Sequence, residues 1–163
     1  MIHVNVRGII ECFATGEKQI LIQTRSRTGE PSQYELPGGR VEEFESLTEA
    51  LAREVLEETG LKVTSIEGEA SQITTDSMAS TFFIQCIKPF AAYQTTKGPV
   101  DSMGVYFICE AKGELVENGD DTKAPHFVGL EELNRIVSTE GTFTDIDRPA
   151  VLMYLREQNV TEK

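Results

Sequence analysis

A chain of 163 residues, 39% hydrophobic and 26% charged, has room for one domain with a sizeable core and not for two comfortable ones. Its 27 acidic against 15 basic side chains leave a formal charge of −12, a field that repels nucleic-acid backbone and anionic membranes. No apolar stretch approaches the roughly twenty residues of a membrane span. The first ten residues, MIHVNVRGII, alternate Ile2, Val4 and Val6 with His3, Asn5 and Arg7, which predicts a strand and interrupts any signal-peptide core. A turn over 14–17 leads into KQILIQT (18–24), and the two segments read as a hairpin. The polar loop RSRTGEPSQ (25–33) carries Arg25 and Arg27 among turn formers, and in YELPGG (34–39) Pro37 and two glycines break regular structure.

A helix is predicted over Leu47–Thr59: Ser46 and Glu49 form a capping box, ALAREVLEE is rich in strong helix formers, and Gly60 stands where the helix should stop. Three β-rich runs follow, KVTSI, STFFIQCI (80–87) and MGVYFICEA (103–111), and their nearly continuous apolar character predicts strands covered on both faces. Two further helices are predicted, LEELNRIV (130–137) and PAVLMYLREQ (149–158), the latter with Asp147 as cap and Pro149 in its first turn. With helices needed on both sides of a sheet, the expected architecture is α/β, a three-layer α/β/α sandwich forming a single domain over residues 1–163. Cys12, Cys86 and Cys109 are widely spaced in apolar runs and read as buried, reduced thiols, which places the protein in the cytoplasm.

The predicted central helix poses a problem of charge. With Leu47 at 0° and about 100° per residue, Ala50 and Leu51 fall near 300° and about 40°, so the N-terminal half buries a face centred near 0°. Glu54, Glu57 and Glu58 fall near 340°, about 280° and about 20°, continuing the apolar stripe as carboxylates. One reading is a solvated face of an acidic protein. The other is a site for a hard cation, Mg²⁺ or Mn²⁺, because three carboxylates within about 6 Å of helix rise resist ionising together without one. Arg53, four residues before Glu57, is placed to orient that carboxylate.

The stretch GRVEEFESLTEALAREVLEETGL (39–61) resembles the signature of the Nudix hydrolases at nine specified positions: Gly39, Glu45, Arg53, Glu54, Val55, Glu57, Glu58, Gly60 and Leu61. The flanking ELPGG and the later HFVGLEEL (126–133) are similar to the family as well. The resemblance implies the Nudix fold, an α/β/α sandwich with a mixed sheet, and cleavage of a diphosphate linkage in a nucleoside diphosphate joined to another group, with Mg²⁺ or Mn²⁺ as cofactor. It implies that Glu54, Glu57 and Glu58 hold metal together with the Gly38 carbonyl, that Glu45 supports them, and that Arg53 orients them. Asp120 and Asp121, in GELVENGDDTKAPHF (113–127), are candidates for a general base or extra ligand and equally for plain turn formers. Arg25, Arg27 and Arg40 are candidates for binding substrate phosphate, or ordinary solvated arginines. His3 and His126 are isolated and read as structural or solvent facing.

The expected substrate is a small nucleotide, a nucleoside triphosphate by default; neither a membrane nor a nucleic acid is an expected partner, and a homodimer is allowed. Two alternatives remain. One is a catalytically silent Nudix-fold nucleotide sensor, which loss of box carboxylates would favour. The other is an isopentenyl-diphosphate-isomerase-like enzyme, for which Cys12 lacks a supporting motif.

Overall fold

The chain opens with a hairpin: β1 (His3–Ala14) turns through Thr15 and Gly16, both at positive φ, into β2 (Glu17–Arg25). In the computed structural model, residues 1–25, 27–76, 78–79, 81–119 and 122–160 are described. Two short strands, β3 (Gln33–Glu35) and β4 (Gly38–Arg40), flank Leu36–Pro37 and pair with β2 and β1 respectively. The helix α1 (Leu47–Thr59) has the predicted bounds. Both bonds of its capping box are made, Glu49 N–H to Ser46 Oγ at 3.2 Å and Ser46 N–H to Glu49 Oε2 at 3.2 Å, and Gly60 closes it in the left-handed conformation. Caps of this kind stabilise a helix by about 1 kcal/mol.

Next come β5 (Lys62–Ile66), β6 (Ile73–Asp76), β7 (Phe83–Cys86), β8 (Ala91–Gln94), β9 (Ser102–Lys112), β10 (Asn118–Gly119) and β11 (Thr122–Gly129). The chain closes with α2 (Leu130–Ser138) and α3 (Arg148–Glu157). The main sheet runs β10-β11-β2-β1-β9-β5, and it is mixed because β1 and β9 are parallel while the other pairs are antiparallel. Ala50, Leu51 and Val55 of α1 pack with Val6, Ile10, Leu21 and Phe107 on one face. Leu133, Val137, Val151 and Leu155 of α2 and α3 pack with Ile9, Ile20, Ile22 and Tyr106 on the other. The run Ile20-Leu21-Ile22 thus feeds both cores, as a strand covered on both sides must. The expected α/β/α sandwich is what forms.

Four expectations fail locally. STFFIQCI is not a strand covered on both faces: its described strand is β7, which pairs with β6 in a separate two-stranded sheet and leaves Phe82, Phe83 and Ile84 exposed. KVTSI is an outer strand of the main sheet with Lys62, Thr64 and Ser65 exposed. Of the cysteines only Cys109 is buried; Cys12 is half-buried and Cys86, on the outlying hairpin, is exposed. Asp147 occupies the cap position of α3 but its side chain caps nothing. Its backbone is already helical (φ −86°, ψ −24°), and its carboxylate turns into the core to accept from Leu36 N–H (2.8 Å) and Tyr106 O–H (2.7 Å).

Candidate active site

The last turn of α1 carries Glu57 and Glu58 and no basic residue, at the helix end whose dipole disfavours negative charge. Glu58 is buried at 7% exposure. Its Oε1 accepts from Gly38 N–H at 2.7 Å and its Oε2 from Gln23 Nε2 at 3.2 Å. Burial pushes its carboxyl up to about 8, against the Gly38 hydrogen bond, with Glu35 nearby adding to the rise. Burial likewise raises Glu54, opposed by Arg53.

Arg53 is the hub beside these acids, though not chiefly for Glu57. Its Nε and Nη2 grip Glu45 at 2.7 and 2.9 Å, Nη1 reaches Glu54 at 2.9 Å and Glu57 at 3.4 Å, and Nη2 also donates to the Arg40 carbonyl at 3.0 Å. The two-pronged bond to Glu45 wins because a guanidinium fork matches a carboxylate geometrically, whereas Glu57, with 44% of its side chain exposed, competes with water. That bond holds the Glu45 carboxyl below its ordinary range.

Gly38 and Gly39 let the backbone come this close. Gly38 has φ 152°, and a Cβ there would lie 2.3 Å from Val6 O; a Cβ on Gly39 would lie 2.6 Å from the Glu54 carboxylate. Glu54, Glu57, Glu58, Gly38 and Gly39 line a cleft of about 360 Å³, and Arg25, Arg27 and Arg40 line it too. The structure therefore gathers the sequence candidates in one place, with Arg53 behind the wall they form. Arg25 is partly committed, lying 3.7 Å from Glu30 and 3.6 Å from Glu35. Asp120 and Asp121 lie outside the described residues; Thr122 lines the cleft, and its buried Oγ1 has no hydrogen-bond partner among the described residues. Among the described residues no three histidine, cysteine or acidic side chains converge tightly enough to hold an ion as they stand. The donor chemistry nevertheless suits a hard divalent ion: the oxygens are carboxylates, and two of the three are pushed up by burial, so a cation would offset the charge their ionised forms bring in.

The cleft lining and the side chains bonded to it include residues for which the sequence pattern gave no role. Arg7 was legible only as a polar position on an alternating strand, yet it is 8% exposed and lines the cleft with Asn5. Glu35, part of ELPGG, is buried at 4% and accepts from Gln23 Nε2 at 3.3 Å. Gln23 sits in a run of isoleucine and leucine, and the one available signal was a polar residue at an inward-facing position.

A family model described as NUDIX domain matches residues 3–148. An ADP-ribose pyrophosphatase from Methanocaldococcus jannaschii is 33% identical over 135 residues, which is 82% of this chain and 65% of the relative. The chain thus spans less than two thirds of the curated relative it matches. Among solved structures, a possible asymmetric diadenosine tetraphosphate hydrolase from Jonesia denitrificans superposes with a TM-score of 0.70 at 15% identity, covering 100% of this chain and 99% of the other. The NUDIX domain of Shewanella oneidensis NrtR, solved with ADP ribose, gives 0.66 at 15% identity over 98% of this chain and 89% of the other. At such identities these likenesses are of fold.

Proposed function

The chain belongs to the Nudix family, and from that premise we propose that it is a hydrolase that cleaves the diphosphate linkage of a nucleoside diphosphate derivative with Mg²⁺ or Mn²⁺. The observation that carries this reading is one cleft with Glu54, Glu57 and Glu58 along one wall and Arg25, Arg27 and Arg40 around it. Glu54, Glu57 and Glu58 would hold the ion, with the Gly38 carbonyl joining them. A divalent ion bound there would neutralise phosphate oxygens and lower the pKa of a water.

The chain's own groups do the rest. Gly38 N–H and Gln23 hold Glu58 against the cleft, and Arg53 fixes Glu54 and Glu45 relative to each other. The guanidiniums of Arg27 and Arg40, both on exposed residues, make no ion pair among the described residues and can take phosphate oxygens in pairs. Four arginines line this small cleft, Arg25 among them partly committed to Glu30 and Glu35, and that much positive charge favours a substrate richer in charge than a single diphosphate, so a nucleoside triphosphate is the first reading. ADP-ribose is the second, favoured by the named activity of the relative at 33% identity. The test is product analysis after incubation with Mg²⁺ or Mn²⁺ and a panel of nucleoside triphosphates, ADP-ribose, nucleotide sugars and dinucleoside polyphosphates. Release of a nucleoside monophosphate from one of them is expected. Binding without turnover across the panel would convert the reading to a nucleotide sensor.

A further inference from the structure

The floor of the cleft is closed by a guanidinium whose commitments leave one nitrogen over. Arg7 projects from β1, where its neighbours Val6, Ile9 and Ile10 are core, and a charge there costs free energy unless something gains by it. Two acids distant in sequence meet it. Asp147 Oδ1 lies 3.3 Å from Nε, Asp147 Oδ2 accepts from Nη1 at 3.5 Å, and Glu35 Oε2 lies 3.8 Å from Nη1. Nη1 also donates to the Leu36 carbonyl at 3.0 Å. Asp147 is itself fixed by Leu36 N–H and Tyr106 O–H, so the fork cannot rotate without breaking several bonds. Among the described residues Nη2 makes no hydrogen bond or ion pair, and unlike Nε it is not sealed from solvent. Arg7 lines the cleft, and Nη2 is the one nitrogen of its fork that no described acid or carbonyl holds away from it.

We propose that Arg7 is a substrate-binding residue whose Nη2 donates to a phosphate oxygen of the substrate, and that Asp147 is the positioning residue that holds the fork in the required orientation. The inference deepens the proposed function and rests on a phosphorylated substrate entering this cleft. An arginine pre-oriented by buried acids binds an anion without first losing side-chain freedom, unlike the exposed Arg27 and Arg40.

The test uses α,β-methylene-ADP, an uncleavable diphosphate, titrated calorimetrically with Mg²⁺ into the wild-type protein, Arg7→Lys and the distant control Arg135→Lys. Lysine keeps the positive charge beside Asp147 and Glu35, but its single nitrogen cannot serve those acids and the cleft together. The affinity of Arg7→Lys should fall about tenfold or more while Arg135→Lys matches wild type. A purely structural Arg7 would lower the melting temperature and leave the affinity of the folded protein unchanged, which overturns the inference alone. Should another nucleotide of the panel bind where α,β-methylene-ADP does not, the same comparison is made with it; wild-type protein that binds none of them overturns the inference and the proposed function together. Should Arg7→Lys fail to fold, a structure of the wild-type complex decides. A phosphate oxygen within about 3 Å of Nη2 supports the proposal, and none within about 4 Å overturns it.

Discussion

Replacing Glu58 by Gln removes a charge from the most buried carboxylate of the α1 wall, and the consequence for stability can be worked out with its sign. The carboxyl is pushed by burial from an ordinary 4.5 up to about 8. A group whose pKa is raised on folding favours the folded state below its unfolded pKa, and that contribution is lost as pH rises through the folded pKa. The metal-free wild-type protein should therefore lose stability between about pH 4.5 and pH 8, by an amount bounded near 5 kcal/mol at roughly 1.4 kcal/mol per unit and in practice a few kcal/mol. In Glu58→Gln the amide oxygen can keep the Gly38 bond, while turning Gln23 to offer Oε1 to the new donor gives up its Nε2 bond to Glu35, a cost present at both pH values. The assay is thermal unfolding at pH 5.5 and 8.5 in EDTA. Between these, the wild type should drop by roughly 5 to 10 °C more than Glu58→Gln. Adding Mg²⁺ at pH 8.5 should return most of the loss in wild type and little in the variant. Parallel profiles for the two proteins, with and without Mg²⁺, would refute both the burial argument and the assignment of Glu58 to the ion.

Other perturbations separate neighbouring roles. Activity should vanish in EDTA and return with Mg²⁺ or Mn²⁺, checked by product release before and after readdition. Gly39→Ala places a Cβ 2.6 Å from the Glu54 carboxylate and should lower turnover about 10²-fold, with the melting temperature changed by only a few degrees. Arg53→Ala should cost about 1 kcal/mol, since the hub is partly exposed, and about tenfold in kcat through the released Glu45 and Glu54; paired melts and turnover measure both. Asp147→Ala strands the Arg7 charge and should destabilise by about 3 kcal/mol or more, read by urea unfolding.

Much of this architecture was legible because its signals are local. Ser46, Glu49 and Gly60 delimit α1 by backbone hydrogen bonding alone, and the hairpin declares itself by its turn and by apolar runs on either side. The carboxylates could be placed together because a helix fixes their angles before any tertiary contact forms. What escaped depends on residues far apart in sequence. Asp147 looks like a cap from its neighbours, yet a segment 111 positions away supplies its backbone partner. Arg7 looks like the solvent face of a strand until Glu35 and Asp147 close over it. β7 was misjudged for the opposite reason: Phe83 and Ile84 are apolar enough for a core, but their strand pairs outside the main sheet, and composition carries no information about that.

Whether the α1 acids serve phosphate chemistry or form a charged surface is decided at Glu57, whose exposure uncouples function from folding. Turnover of the best substrate in the panel should be measured with Mg²⁺ for wild type, Glu57→Gln and the surface control Glu131→Gln, alongside thermal melts. Glu57→Gln should stay folded, with stability unchanged within about 0.5 kcal/mol or slightly improved, and lose about 10² or more in kcat, while Glu131→Gln keeps both. A folded Glu57→Gln with near-normal turnover would contradict the phosphate role of these acids.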